Sequence, residues 1–381
     1  MPRKRRIVLG GLTALVLAVG GAVLGAAIKG RPITVPKETD LAFDLPAPVR
    51  DSLYYASLAP NSHNAQMWRV TAYPSRGELA IGLDLDRLLT VTDPAGREAL
   101  ISLGAFTENL VQALEAYGYQ VEVTATQLPA AGQPNSADLP SPAVTVRYAG
   151  QPAEPDSAGR QTLAAMTLRH TEKRPMSAQP LTATQLQALN AMAGVTYFEH
   201  GSDGFTYLAT GTVAAYRDQA NDPAARQELA NWLRLSDGEA LAQRDGLPAE
   251  QLGITGITKT LYYLTTSQAD LTGDTFANQG ISRTEKQVDG AAGFAVLVGD
   301  DPITAGRDLE RLWLAATRAG VSVQPMSQLL EDPAAAAALP AALNLSGTPQ
   351  MILRVGTVSG SYGENLGLRR PLAEFVTNGD G

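Results

Sequence analysis

Leu100, Leu103, Phe106, Leu110, Val111 and Leu114 recur at i, i+3, i+4 and i+7, which predicts an amphipathic helix. Thr92-Asp93-Pro94 reads as its start and Gly118 as its stop. A shorter helix is expected over 49–59, stopping at Pro60, with Leu53, Tyr54 and Leu58 on one side. Residues 68–73 and 78–84 are short, β-rich and separated by Pro-Ser-Arg-Gly, so they read as a hairpin; 119–126 and 143–148 read as two more strands flanking a Pro/Ala/Ser-rich insertion. Beyond a Pro-rich stretch at 151–157, helices are expected at 158–169 and, behind the Thr182/Gln185 capping box, up to Gly194. A strand follows at 205–210 and a helix from Asp222-Pro223 to Leu235. A buried-type strand at 294–299, a long helix at 304–319 ended by Gly320 and a strand at 350–357 complete the pattern. Strands interrupted by helices and hairpins make an α+β protein. Each half runs through a short helix, strands and a long helix ended by glycine, so two related halves, 49–150 and 151–381, are expected to pack as a pseudo-dimer.

The first 48 residues follow a different pattern. Residues 7–28 carry no charge and follow Met-Pro-Arg-Lys-Arg-Arg. Twenty-two apolar residues are enough for a membrane helix, which needs ~20. The basic residues before it place the N-terminus in the cytoplasm and the body on the extracytoplasmic, periplasmic side. Lys4 to Leu9 has some likeness to a twin-arginine signal, but no clean A-x-A site precedes Lys29, so residues 1–30 are expected to be an uncleaved anchor. A Pro-rich linker over 31–48 then leads to the body.

Composition narrows the chemistry. The 381 residues carry a net charge of −8 with no basic stripe, which excludes a nucleic-acid partner. Cysteine is absent, and the three histidines, His63, His170 and His200, have no metal-ligand spacing; no metal is expected, and any redox chemistry must come from a cofactor. No catalytic side chain is assigned. Four segments could bear a ligand. Residues 59–68, Ala-Pro-Asn-Ser-His-Asn-Ala-Gln-Met-Trp, concentrate amides that match either the edge of a heteroaromatic ring or an Asx-rich turn. Arg169, Thr171 and Lys173 share one side if extended, giving an anion site, although a solvated helix end fits the run as well. The turn at 320–326 follows the long helix, and Arg369-Arg370 is a late basic pair.

In this order the segments resemble the nitroreductase family of FMN proteins, and most closely its Acg-like branch. The resemblance covers about 49–376 and rests on 59–68, Arg-Glu-Ala-Leu-Ile-Ser-Leu-Gly-Ala at 97–105, Arg-His-Thr-Glu-Lys-Arg-Pro at 169–175, Gln-Glu-Leu-Ala-Asn-Trp-Leu-Arg at 227–234, Arg-Asp-Gly-Leu-Pro at 244–248, Leu-Glu-Arg-Leu-Trp-Leu-Ala-Ala-Thr at 309–317 and Gly-Thr-Pro-Gln-Met-Ile-Leu-Arg-Val-Gly at 347–356. It implies a nitroreductase-like fold in which one chain does the work of a dimer, with one FMN at the seam and the chain acting as a monomer. It also implies that Arg169, Thr171 and Lys173 hold the FMN phosphate with His170 nearby and Arg369 or Arg370 completing the site. Asn61, Ser62 and Asn64 would face the flavin, Gln66 would shape their loop, and Gln324 and Pro325 would approach its reactive edge. Met67 stands where the family usually has proline, and Asn61 where serine is common. The implied activity is transfer of hydride or electrons from a donor such as NAD(P)H through flavin to a nitroaromatic or quinone-like acceptor. The alternative is a protein that sequesters FMN with little turnover under a lid formed by 127–142 or 260–290.

Overall fold

The computed structural model describes residues 32–126, 141–360 and 365–381. Residues 7–28, expected to form a membrane helix, and most of the insertion at 127–142 lie outside the described residues. Among the described residues no helix is long and apolar enough to cross a membrane.

The chain runs through α1 (Ala47–Ser57), β1 (Trp68–Tyr73), β2 (Glu78–Leu83), α2 (Arg97–Ala116), β3 (Gln120–Ala125), β4 (Val144–Ala149), α3 (Ser157–Leu168), α4 (Ala183–Asn190) and β5 (Val195–Glu199). There follow α5 (Asp203–Asn221), α6 (Pro223–Trp232), α7 (Asp237–Gln243), α8 (Gly256–Thr265), α9 (Asp274–Asp289), β6 (Gly293–Val298) and α10 (Pro302–Arg318). The last elements are β7 (Ser322–Pro325), α11 (Gln328–Glu331), α12 (Pro333–Leu343), β8 (Pro349–Gly356) and β9 (Val376–Asn378). Two sheets form among the described residues, ordered β3-β4-β2-β1-β9 and β5-β6-β8-β7. Every pairing is antiparallel except β1 with β9.

Most predicted elements are present, with differences that have physical causes. Residues 205–210 are helical, within α5, and not a strand: Ser202 Oγ accepts from the Phe205 amide as an N-cap, and Phe205, Leu208 and Thr212 bury one helical face. Helical spacing of burial overrides the β-prone composition of Phe-Thr-Tyr. The helix over 97–116 begins at Arg97 and not at Pro94, yet Asp93 still serves its first turn, accepting from Ala99 N at 2.9 Å. The Thr182/Gln185 capping box forms as read.

One core cluster joins the first sheet to α1 and α2, and a second joins the other sheet to α10. The two long helices then pack on each other across a glycine crossing. A methyl group at Gly104 would run into the Ile303 carbonyl, and one at Gly306 into that of Ile101. Only glycine lets these backbones approach so closely. The boundary at 150/151 does not divide the sheets cleanly, because β9, from the chain's last residues, returns to the first sheet beside β1.

Candidate functional site

The loop between α1 and β1 is under backbone strain. His63, Asn64 and Gln66 have φ of 52°, 52° and 54°, a region that side-chain-bearing residues rarely adopt and that surrounding structure must enforce. Asn61 Oδ1 accepts from Gln66 N at 2.8 Å, and Ser62 Oγ donates to Glu98 at 2.8 Å. Asn64 Nδ2 donates to the carbonyls of Gly246 and Leu368, while Gln66 Nε2 donates to Arg244 O and its Oε1 accepts from Arg370 N. These amides therefore hold the loop itself.

Arg369 and Arg370 are the clamp on that loop. Arg369 donates to Asn64 Oδ1 at 2.8 Å and to the carbonyls of Ser57, Leu58 and Ala59, the C-terminal end of α1. A guanidinium there satisfies carbonyls that a helix end leaves open and meets the negative end of its dipole. Arg370 donates to the carbonyls of Gln66 and Trp68 and lies 3.7 Å from Asp84. Both side chains are buried, and the bonds they make here hold the loop.

Arg169 also reaches the end of α1. It donates to Leu58 O, lies 3.5 Å from Glu310 and stacks over the Trp313 ring at 4.8 Å. Burial pushes the Glu310 carboxyl up to about 8, with Arg169 opposing. Thr171 forms a bridge to Val323 of β7, and the Glu172 amide donates to the Val323 carbonyl. His170 packs its ring nitrogens against Leu168 O and Glu172. Burial works against ionisation of Glu172, but hydrogen bonds from His170 and Arg174 hold it down to about 2. Of the expected trio, Arg169 meets Leu58 O, Glu310 and Trp313, Thr171 pairs with Val323, and Lys173 lines a cavity.

Lys173 does face a ligand-sized space. A cavity of about 430 Å³ is lined by Lys173, Gln324 and Pro325 together with His63, Arg226, Tyr216, Tyr262, Gln279, Arg283, Gln287 and Gln328. Leu229, Leu233, Leu252 and Phe276 supply apolar wall, the mixture typical of small-molecule sites. Desolvation first, then the nearby Arg354 and Arg283, push the Lys173 ammonium down to about 8. A cation held among cations, with no carboxylate recorded within ion-pair range among the described residues, is an anion site in waiting.

Several buried polar atoms on this lining lack a partner: Gln324 Oε1, Gln328 Oε1, Tyr262 Oη and His63 Nδ1. Such groups are ordinarily satisfied, so each offers hydrogen-bonding capacity to a water or a ligand in the cavity. Their carriers are rigidly placed. Gln324 Nε2 donates to Gln287 Oε1 at 3.2 Å, and Gln287 Nε2 donates to Lys173 O at 2.9 Å. Arg354, fully buried on β8, donates to the carbonyls of Gln287, Glu172 and Arg174, tying the Lys173 segment to β8 and α9. Sequence reasoning found Lys173, Gln324 and Pro325. It gave His63 no role although it stood in the loop singled out. It gave no individual role to Tyr262, Arg283 and Gln287, which fall in the 260–290 stretch expected as a lid, or to Arg354, which falls in the 347–356 match.

No family model matches the chain. Over 322 residues it is 28% identical to a "Putative NAD(P)H nitroreductase" of Mycobacterium tuberculosis, covering 81% of this chain and 84% of that protein. It is 26% identical to "Putative NAD(P)H nitroreductase acg" of the same organism, covering 81% and 88%. The chain is similar in sequence to Acg and to other proteins named NAD(P)H nitroreductases. "Probable NAD(P)H nitroreductase PigM" of Serratia is 26% identical over 330 residues, with 81% of this chain and 88% of that one covered. The solved FMN-dependent nitroreductase NfnB of Mycobacterium smegmatis, in complex with NADPH, aligns with 57% of this chain and 97% of its own at 17% identity and a TM-score of 0.36.

Proposed function

We propose that the protein is an FMN-dependent oxidoreductase of the nitroreductase type, holding one FMN in the cavity beside Lys173. The observation that carries this reading is the lining itself: a desolvated lysine, further cations, unsatisfied amide and hydroxyl oxygens and an apolar wall meet in one space of about 430 Å³. The similarity to proteins named NAD(P)H nitroreductases supports a redox role, and this donor set suits FMN. FMN supplies hydride and electron transfer.

The chain's own residues bind and orient. Lys173 and Arg283 meet phosphate charge, Lys173 as a point charge and Arg283 as a fork. Arg283 already donates to Leu252 O, which fixes its approach. Gln324 and Gln328 offer acceptors to ring or ribityl donors, and the Tyr262 hydroxyl, pushed up to about 12 by burial against the opposing Arg283, stays protonated as a donor. Burial holds His63 down to about 4, so its imidazole is neutral. Residues of α8 and α9 wall one side of the cavity. The donor is NAD(P)H or a redox partner, and the acceptor a nitroaromatic or quinone-like molecule. The fused halves act as one monomeric unit, residues 7–28 anchor it, and the body lies on the extracytoplasmic side.

Purified full-length protein is expected to be yellow, with one FMN per chain by mass spectrometry of the released cofactor. A colourless protein that takes up no added FMN overturns the reading. Sequestration remains the second reading, favoured by the position of residues 256–289 over the cavity. Anaerobic mixing with NADPH separates the two: bleaching of the flavin marks turnover, and an unchanged spectrum with every donor tried marks storage.

A further inference from the structure

Helix α8 is inverted relative to an ordinary surface helix. Ile257, Leu261 and Leu264 stand at i, i+4 and i+7, on one side, and are 59%, 54% and 70% exposed. Leu264 is the most exposed large hydrophobic side chain among the described residues. On the opposite side Lys259 is fully buried, its Nζ 2.7 Å from Asp237 and 2.5 Å from Glu250, and Tyr262 lines the cavity. Lys259 is the sole charged residue between Gln251 and Asp270. The outer face therefore carries aliphatic and hydroxyl groups and no charge. Such a face against water marks a contact surface.

The place of α8 identifies what it contacts. The Ile33 amide donates to Glu250 Oε1 at 3.2 Å, the same oxygen that accepts from Lys259. The chain leading back to the apolar segment 7–28 thus leaves the body one carboxylate away from α8. Four residues lie between Ile28 and Ile33, and the five steps of an extended chain cover at most ~18 Å. With 7–28 in a bilayer, α8 is held within reach of its surface.

We propose that α8 lies on the lipid bilayer, with the Ile257, Leu261 and Leu264 face at the boundary of headgroups and acyl chains. A helix with an apolar outer face and no exposed charge sits there without desolvating an ion. The wall of the cavity that carries Tyr262 is then the lipid-facing wall. This inference rests on the reading of 7–28 as an anchor and is independent of the flavin.

The natural absence of cysteine makes the test direct. Full-length protein carrying Leu264→Cys, labelled with an environment-sensitive fluorophore, is reconstituted into phosphatidylcholine vesicles beside Leu85→Cys, an exposed apolar position in the first half. The label at 264 is expected to shift to shorter wavelength, to be quenched by lipids with a nitroxide on the acyl chain and to lose quenching by aqueous iodide; the label at 85 should behave as in water. If 264 stays open to iodide in protein that sediments with the vesicles, the α8 proposal is overturned while the anchor stands. Shielding from both quenchers means that protein, the N-terminal segment or a second copy, covers α8, and also overturns it. Protein that fails to sediment overturns anchor and α8 together. FMN content, measured on the same samples, reports separately on the cavity.

Discussion

At the residue scale, two arginine-lysine readings from one heptapeptide end in opposite places. Arg169 turns inward, under Trp313 and against Glu310, whereas Lys173 turns to the cavity. Their consequences differ accordingly. Lys173→Ala should weaken FMN binding by about 1.5–3 kcal/mol, the usual worth of a hydrogen bond to a charged group, and leave the melting temperature of the cofactor-free protein little changed. Because the Lys173 ammonium is held down to about 8, its charge is lost as pH rises through that value. FMN affinity measured by fluorescence titration should therefore fall between pH 7 and 9 in the parent and not in Lys173→Ala. Arg169→Ala should instead destabilise the fold by about 1–3 kcal/mol, since it leaves the Leu58 carbonyl without its buried donor; thermal unfolding reads this. Glu310 sits at about 8 when folded against 4.5 for the free group, so its stabilising share is present below pH 4.5 and lost as pH rises through 8. Between pH 6 and 9 the parent should lose stability relative to Glu310→Gln, whose amide never has to ionise.

At the element scale, the α2–α10 crossing sets the distance between the halves. Gly306→Ala would push its methyl into the Ile101 carbonyl, and backbone has little room to yield. A loss of about 1–3 kcal/mol is expected in chemical denaturation, in the range of core overpacking. Legibility also varied by element. The α2 periodicity was plain because one helix buries a broad apolar stripe, with Leu103, Phe106 and Leu110 all wholly inaccessible. The 205–210 segment was misread because local β propensity is weak beside an N-cap at Ser202 and a partner surface that only exists after folding. The short strand β5 went unread for a related reason: Val195–Glu199 has an ordinary composition and becomes a strand by pairing with β6.

For the whole molecule, function depends on convergence of distant segments. Asn64 is bonded to Arg369, 305 positions away, and Gln66 to Arg244 and Arg370. The C-terminal tail thereby locks the strained loop that presents His63 to the cavity. FMN binding should stabilise the entire assembly. At a ligand concentration of 100 Kd the gain is about 2.7 kcal/mol, seen as a higher melting temperature on adding FMN; no shift at saturating FMN would count against the cavity as its site.

The sequence by itself determined much of the alternation of helices and strands, the two long glycine-ended helices, the absence of thiol chemistry and the segments from which a ligand site would be drawn. Those properties follow from local periodicity and from residue types. Which side chains of those segments meet the ligand was decided by tertiary structure alone. An arginine serves a helix end or an anion according to what packs against it, and carbonyls from α1 claimed Arg169 and Arg369 while β7 and α9 left Lys173 facing open space. Burial and partnership are properties of neighbours far along the chain, and no local pattern encodes them.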